Sequence, residues 1–128
     1  MDTNIIDLDL LRPAPRYVVI GKKKIDMSFI PCGITFDIDE LIRDMSKLNK
    51  DQVMEGGAET LRAFNLGIKL CAVFCSVSYP ELSEDWFRKN TNPQQINMLA
   101  DEIRKTLFAG YEQVAGYTKN EEAVRVEM

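Results

Sequence analysis

The chain has 128 residues, 45% hydrophobic and 28% charged, and its 16 Lys+Arg against 20 Asp+Glu give a net charge of −4. That length and balance fit one domain, which on folding buries about two-thirds of its unfolded surface and needs no disulfide or metal staple. Histidine is absent, which excludes His-based triads, imidazole general bases and His-containing zinc sites.

Nucleic acid is not an expected partner, because a binder of polyanions shows a basic face or a high pI. The excess of acid falls after residue 50. Met1-Asp2-Thr3-Asn4 lacks the basic start of a signal peptide. The longest wholly apolar run, Leu70 to Cys75, is far short of the roughly 20 residues of a membrane span. Cys32, Cys71 and Cys75 fit no disulfide framework, so a reducing cytoplasm is the expected compartment.

Ile5-Ile6-Asp7-Leu8-Asp9-Leu10 alternates apolar and acidic residues after Ile5, as an extended arm or edge strand does. Pro13 and Pro15 then favour an extended connector. Arg16 to Ile20 is rich in strand formers, and Lys24 to Ile30 places Ile25, Met27 and Phe29 on one face. The Gly21-Lys22-Lys23 link between them predicts a β-hairpin. Alone it would be marginal, so it must dock on something.

Pro31-Cys32-Gly33 interrupts the pattern. Asp37 with Glu40 predicts a capping box, Phe36 and Leu41 a hydrophobic staple, and Ile38, Leu41, Ile42, Met45 and Leu48 the buried stripe of a helix. Asn49 to Gly57 is polar, with a break at Gly56-Gly57. A central helix is predicted from Ala58 to about Ser76, covered from more than one side. Leu61, Phe64, Ile68, Cys71, Ala72 and Cys75 share one face of it, and Gly67 can admit a close neighbour.

Tyr79-Pro80 ends that helix. Ser83 then reads as an N-cap, with Glu84 and Asp85 in the first turn and Leu82 stapled to Phe87. The last helix starts at Asn92-Pro93-Gln94-Gln95, with Asn92 as N-cap and Gln95 as its capping-box partner. Ile96, Leu99, Ala100, Ile103, Leu107 and Val114 carry its stripe. The fold class is therefore α+β: a hairpin packed on three to four helices, with residues 5–10 either an extended arm or an extra edge strand. Residues 1–15 form an extended arm, 16–116 the domain and 117–128 a polar flexible tail.

Most chemistry-bearing residue types have a structural role at hand. Cys71 and Cys75 lie in the most apolar segment, where free cysteine packs as a small hydrophobe. Gly21-Lys22-Lys23-Lys24 lacks the upstream glycine and following helix of a phosphate loop, and reads as a solvated turn that blunts a sheet edge. Asp37, Asp39 and Glu40, like Glu84 and Asp85, lie where carboxylates meet a helix dipole. No catalytic, metal or cofactor residue is assigned. Tyr79, Trp86, Phe87 and Tyr111 are the candidate partner-binding residues, because such aromatics are enriched at interfaces.

With this layout the chain resembles the tail assembly chaperones of long-tailed bacteriophages. The resemblance spans about residues 16–115 and rests on the hairpin Tyr17 to Ile25, the capped helix Phe36 to Leu48 and the apolar helix Leu61 to Val77. Its closest stretch is Leu82-Ser83-Glu84-Asp85-Trp86-Phe87 followed by Asn92-Pro93-Gln94-Gln95-Ile96. It implies a non-enzymatic protein of the host bacterial cytoplasm that covers the apolar helices of the tape measure protein. The tail tube protein is a further possible partner, and homo-oligomers are compatible with such a role. The client groove is expected between the central and last helices. The competing expectations are a structural tail or connector component of the virion and, third, a small nucleic-acid-binding regulator acting through Lys22 to Lys24.

Overall fold

The computed structural model describes residues 4–115 and 125–127. A hairpin pairs β2 (Tyr17–Ile20) with β3 (Lys23–Asp26), in the register Val18 to Ile25 and Ile20 to Lys23. Its turn is two residues long: Gly21 (φ +55°) and Lys22 (φ +65°) both lie in the left-handed region, as a type I′ turn requires. Lys23 therefore belongs to the ladder and not to the link. β3 stops short of the expected Ile30 because the Asp26 carboxylate accepts from Ser28 N at 2.8 Å and turns the chain.

Helix α1 (Cys32–Ser46) starts five residues before the predicted cap at Asp37. Pro31 holds the extended N-cap conformation (ψ 140°) and its carbonyl accepts from Thr35 Oγ1 at 3.1 Å. Asp37 lies inside the helix, and Phe36 is 86% exposed, so neither the capping box nor the staple forms there. Ile34 joins Ile38, Leu41, Ile42 and Met45 on the packed face, adding a turn to the stripe. The polar segment that follows contains a short helix the sequence pattern did not reveal, α2 (Lys50–Val53), capped by Asn49.

Helix α3 (Ala58–Cys75) is the expected central helix, although Leu61 at its start is 64% exposed. Gly67 meets Ile96 of α5 (Pro93–Ala115) so closely that a Cβ there would lie 3.0 Å from Ile96 Cγ2. The capping box of α5 forms reciprocally: Gln95 N donates to Asn92 Oδ1 and Asn92 N to Gln95 Oε1, each at 2.9 Å. Ser83 caps α4 (Glu84–Asn90), accepting from Trp86 N at 3.2 Å, and Leu82 and Phe87 are both fully buried.

One core joins the elements. Ile20, Ile25 and Met27 of the hairpin region meet Ile38 and Ile42 of α1, Leu70, Phe74 and Cys75 of α3, Phe87 of α4, and Ile96 to Leu107 of α5. The stripe of α5 leaves this core after Leu107, and Val114, predicted as part of it, is 74% exposed. The N-terminal arm holds a strand, β1 (Asn4–Ile6), and a 3-10 turn at Leu8–Leu11 capped by Asp7. β1 pairs antiparallel with β4 (Arg125–Glu127), which lies within the segment expected to be a polar tail. The remainder of that segment lies outside the described residues.

Candidate docking surface

The four aromatic residues singled out in the sequence do not form one surface. Three of them hold the hairpin onto the helices. The Trp86 indole lies under Gly21, so closely that a Cβ there would be 2.5 Å from Trp86 Cζ2. Phe87 packs edge-on against Trp86, with ring centroids 5.0 Å apart, and is fully buried. It serves the core and cannot touch a partner. The Tyr79 hydroxyl donates to Lys24 O at 3.1 Å, and Lys23 Nζ lies 5.2 Å from the Tyr79 ring while pairing with Glu81 at 2.9 Å. That pairing holds the Glu81 carboxyl below its ordinary range.

The far end of the hairpin is tied to α5. Thr106 is buried; its Oγ1 donates to Met27 O at 2.7 Å and accepts from Arg16 Nη2 at 2.8 Å. Arg16 also pairs with Glu102. A groove between α3 and α5, expected from the sequence, meets the opposite situation at Gly67 and Ile96, where the two helices are in contact.

Tyr111 belongs to a different region. Its hydroxyl donates to Asp39 Oδ1 at 2.5 Å, linking α5 to α1, and Arg43 Nε donates to Asp39 Oδ2 at 2.6 Å. The Tyr111 hydrogen bond first, and then Arg43, hold the Asp39 carboxyl below the ordinary aspartate range. The same bond raises the Tyr111 phenol.

Around this link apolar side chains stand out in solvent: Phe36 is 86% exposed, Phe108 47%, Tyr111 41% and Val114 74%. Phe36 lies one turn before Asp39 on the same face of α1. Phe108 and Tyr111 stand with ring centroids 6.3 Å apart. Tyr111 and Val114 line a groove of about 360 Å³ whose walls also include Phe29, Ile30 and Leu107. Scattered exposed hydrophobics are ordinary, but grouped ones beside a groove mark an interaction surface. Sequence periodicity concealed this one, because Val114 continues the buried stripe and Phe36 mimics a staple residue.

Other chemistry-bearing groups singled out in the sequence serve the fold. Cys71 and Cys75 are buried free thiols. Burial pushes Cys75 up to about 12, and burial with the neighbouring Cys75 sulfur raises Cys71 further, so neither supplies a thiolate near neutral pH. Glu84 and Asp85 face Arg88 and Lys89 one turn on. Among the described residues no group of three His, Cys, Asp or Glu side chains is placed to hold a metal ion, and no helix is long and apolar enough to cross a membrane. Comparison with protein-family models, with curated proteins and with solved structures finds no match to this chain.

Proposed function

We propose that this protein is a non-enzymatic tail assembly chaperone of the long-tailed bacteriophage type, acting in the host bacterial cytoplasm. In this reading the α1–α5 face receives apolar helical segments of the tape measure protein. The supporting observation is the set of exposed side chains Phe36 on α1 and Phe108, Tyr111 and Val114 on α5, of which Tyr111 and Val114 line an apolar groove. An amphipathic client helix buries its apolar side in such a groove, and each large side chain removed from water contributes about 1.5–3 kcal/mol before ordering costs. The family follows from the sequence resemblance, and the face from the exposed side chains.

Co-expression is the test. The phage's tape measure protein should become more soluble and co-purify with the wild-type chain, and Phe108→Ser/Val114→Ser should remove both effects. No gain in solubility together with no co-purification contradicts the reading. A chaperone is also absent from mature particles, so detection of this chain by mass spectrometry of purified virions would favour a structural tail component.

A further inference from the structure

Among the described residues two short sheets have two strands each, and the outer edges of β1 and β2 are unpaired. In the hairpin, the two-residue turn makes Ile20–Lys23 the closing hydrogen-bonded pair, and pairing alternates from there. Val18–Ile25 is the next such pair, and Met27 N donates to Arg16 O at 2.6 Å where a further one is due. The N–H and C=O groups of Tyr17 and Val19 consequently face away from β3. They face a groove of about 430 Å³ between β2 and α5, lined by Met98, Leu99 and Glu102. Val19 is 71% exposed and Met98 65%.

The second incomplete sheet is β1–β4. These two strands pack chiefly on each other, and an isolated pair of strands is marginal in water. Ile5, Ile6, Leu8, Leu10 and Leu11 are between 37% and 66% exposed. The alternation Ile6-Asp7-Leu8-Asp9-Leu10 encodes a strand with one apolar and one acidic face, yet within one chain it ends in a 3-10 turn with no buried residue.

We propose that β1, lengthened through Leu10, adds to the free edge of β2 in a second copy of this chain. The reciprocal exchange closes a two-fold dimer with sheets in the order β4-β1-β2-β3, where β2 and β3 come from the partner copy. Charge and pattern both select this occupant. With Ile6, Leu8 and Leu10 turned onto Met98 and Leu99, Asp7 and Asp9 share the outer face with Lys24. Lys24 stands 4.2 Å from the Tyr17 ring and has no ion pair among the described residues.

The arm does not reach its own β2 edge. Pro13 and Pro15 hold the connector extended, and the Arg12 guanidinium sits 4.6 Å from the Phe29 ring, beyond the β3 end of the hairpin. Exchange between copies lets both open edges be filled.

Sedimentation equilibrium on the full chain decides the matter. The wild type should give twice the chain mass. Leu8→Asp/Leu10→Asp, which changes only exposed arm positions, should give the single-chain mass. So should Val19→Pro, which removes an N–H that the hairpin ladder does not use. Unchanged far-ultraviolet circular dichroism and Trp86 fluorescence would show that the variants are folded, and Val19→Lys replaces Val19→Pro if the proline unfolds the hairpin. A monomeric wild type overturns the proposal. A dimer surviving in the arm variant rules out the arm as occupant, and one surviving in a folded edge variant rules out β2 as its seat.

Discussion

Aromatic residues cluster at two places in this molecule, and they are used in opposite ways. Where the hairpin meets α4, Trp86 and Phe87 are turned inward, one beneath a glycine that admits nothing larger and the other fully buried. Where α1 meets the last turns of α5, Phe36, Phe108 and Tyr111 stand outward around the Tyr111–Asp39 hydrogen bond. The first region spends its aromatic surface on holding two kinds of secondary structure together. The second leaves its surface uncovered. Residue type alone does not distinguish them; what lies opposite each ring does.

The sharpest way to break this contrast is Phe87→Ala. Removing a fully buried ring should lower the unfolding free energy by about 3–5 kcal/mol, read as a drop in the urea midpoint. A small effect would mean that the hairpin–α4 junction is not the anchored region. Gly21→Ala comes next. Its Cβ would meet the indole 2.5 Å away at a φ of +55°, so a loss of about 1–3 kcal/mol is expected. Combining it with Trp86→Leu should recover part of that loss, leaving the backbone cost. Asn92→Ala removes the cap of α5 and should cost about 1 kcal/mol in the same measurement.

On the outward side the expected stability effects are smaller. Phe108→Ser/Val114→Ser should leave the urea midpoint almost unchanged, as exposed sites generally do, while abolishing client solubilisation. The smallest effect is that of Tyr111→Phe, and it depends on pH. The Asp39 carboxyl is lowered in the folded chain, so its contribution is present above the unfolded aspartate value and is lost as pH falls through the folded one. The Tyr111 phenol is raised, so its contribution is present below the unfolded tyrosine value and is lost as pH rises through the folded one. The Tm difference between wild type and Tyr111→Phe should therefore be steady between about pH 5 and 9 and shrink beyond both ends. A difference independent of pH would mean that the hydroxyl–carboxylate link contributes nothing.

Local chemistry made much of the fold legible. The Asn92–Gln95 box and the Ser83 cap are set by interactions within a few residues and form as the sequence predicts, and the hairpin turn falls in the predicted link but is one residue shorter. The start of α1 does not. Asp37 and Glu40 have the spacing of a capping box, but Ile34 packs on the core and carries the helix back to Pro31. β1–β4 pairing joins the two ends of the chain, which no local pattern can signal. The candidate surface was legible only in part. Tyr111 is among the predicted residues, whereas Val114 falls on the predicted buried stripe, Phe36 has the position of a staple residue and Phe108 belongs to no pattern the sequence displays.

The claim that the α1–α5 face is the working surface is tested most directly by amide hydrogen exchange with and without a tape measure segment. Protection should rise at residues 33–40 of α1 and 104–115 of α5, with the hairpin turn and α4 unchanged. Protection confined to α3 and α4, or no change at either end of the molecule, would contradict it.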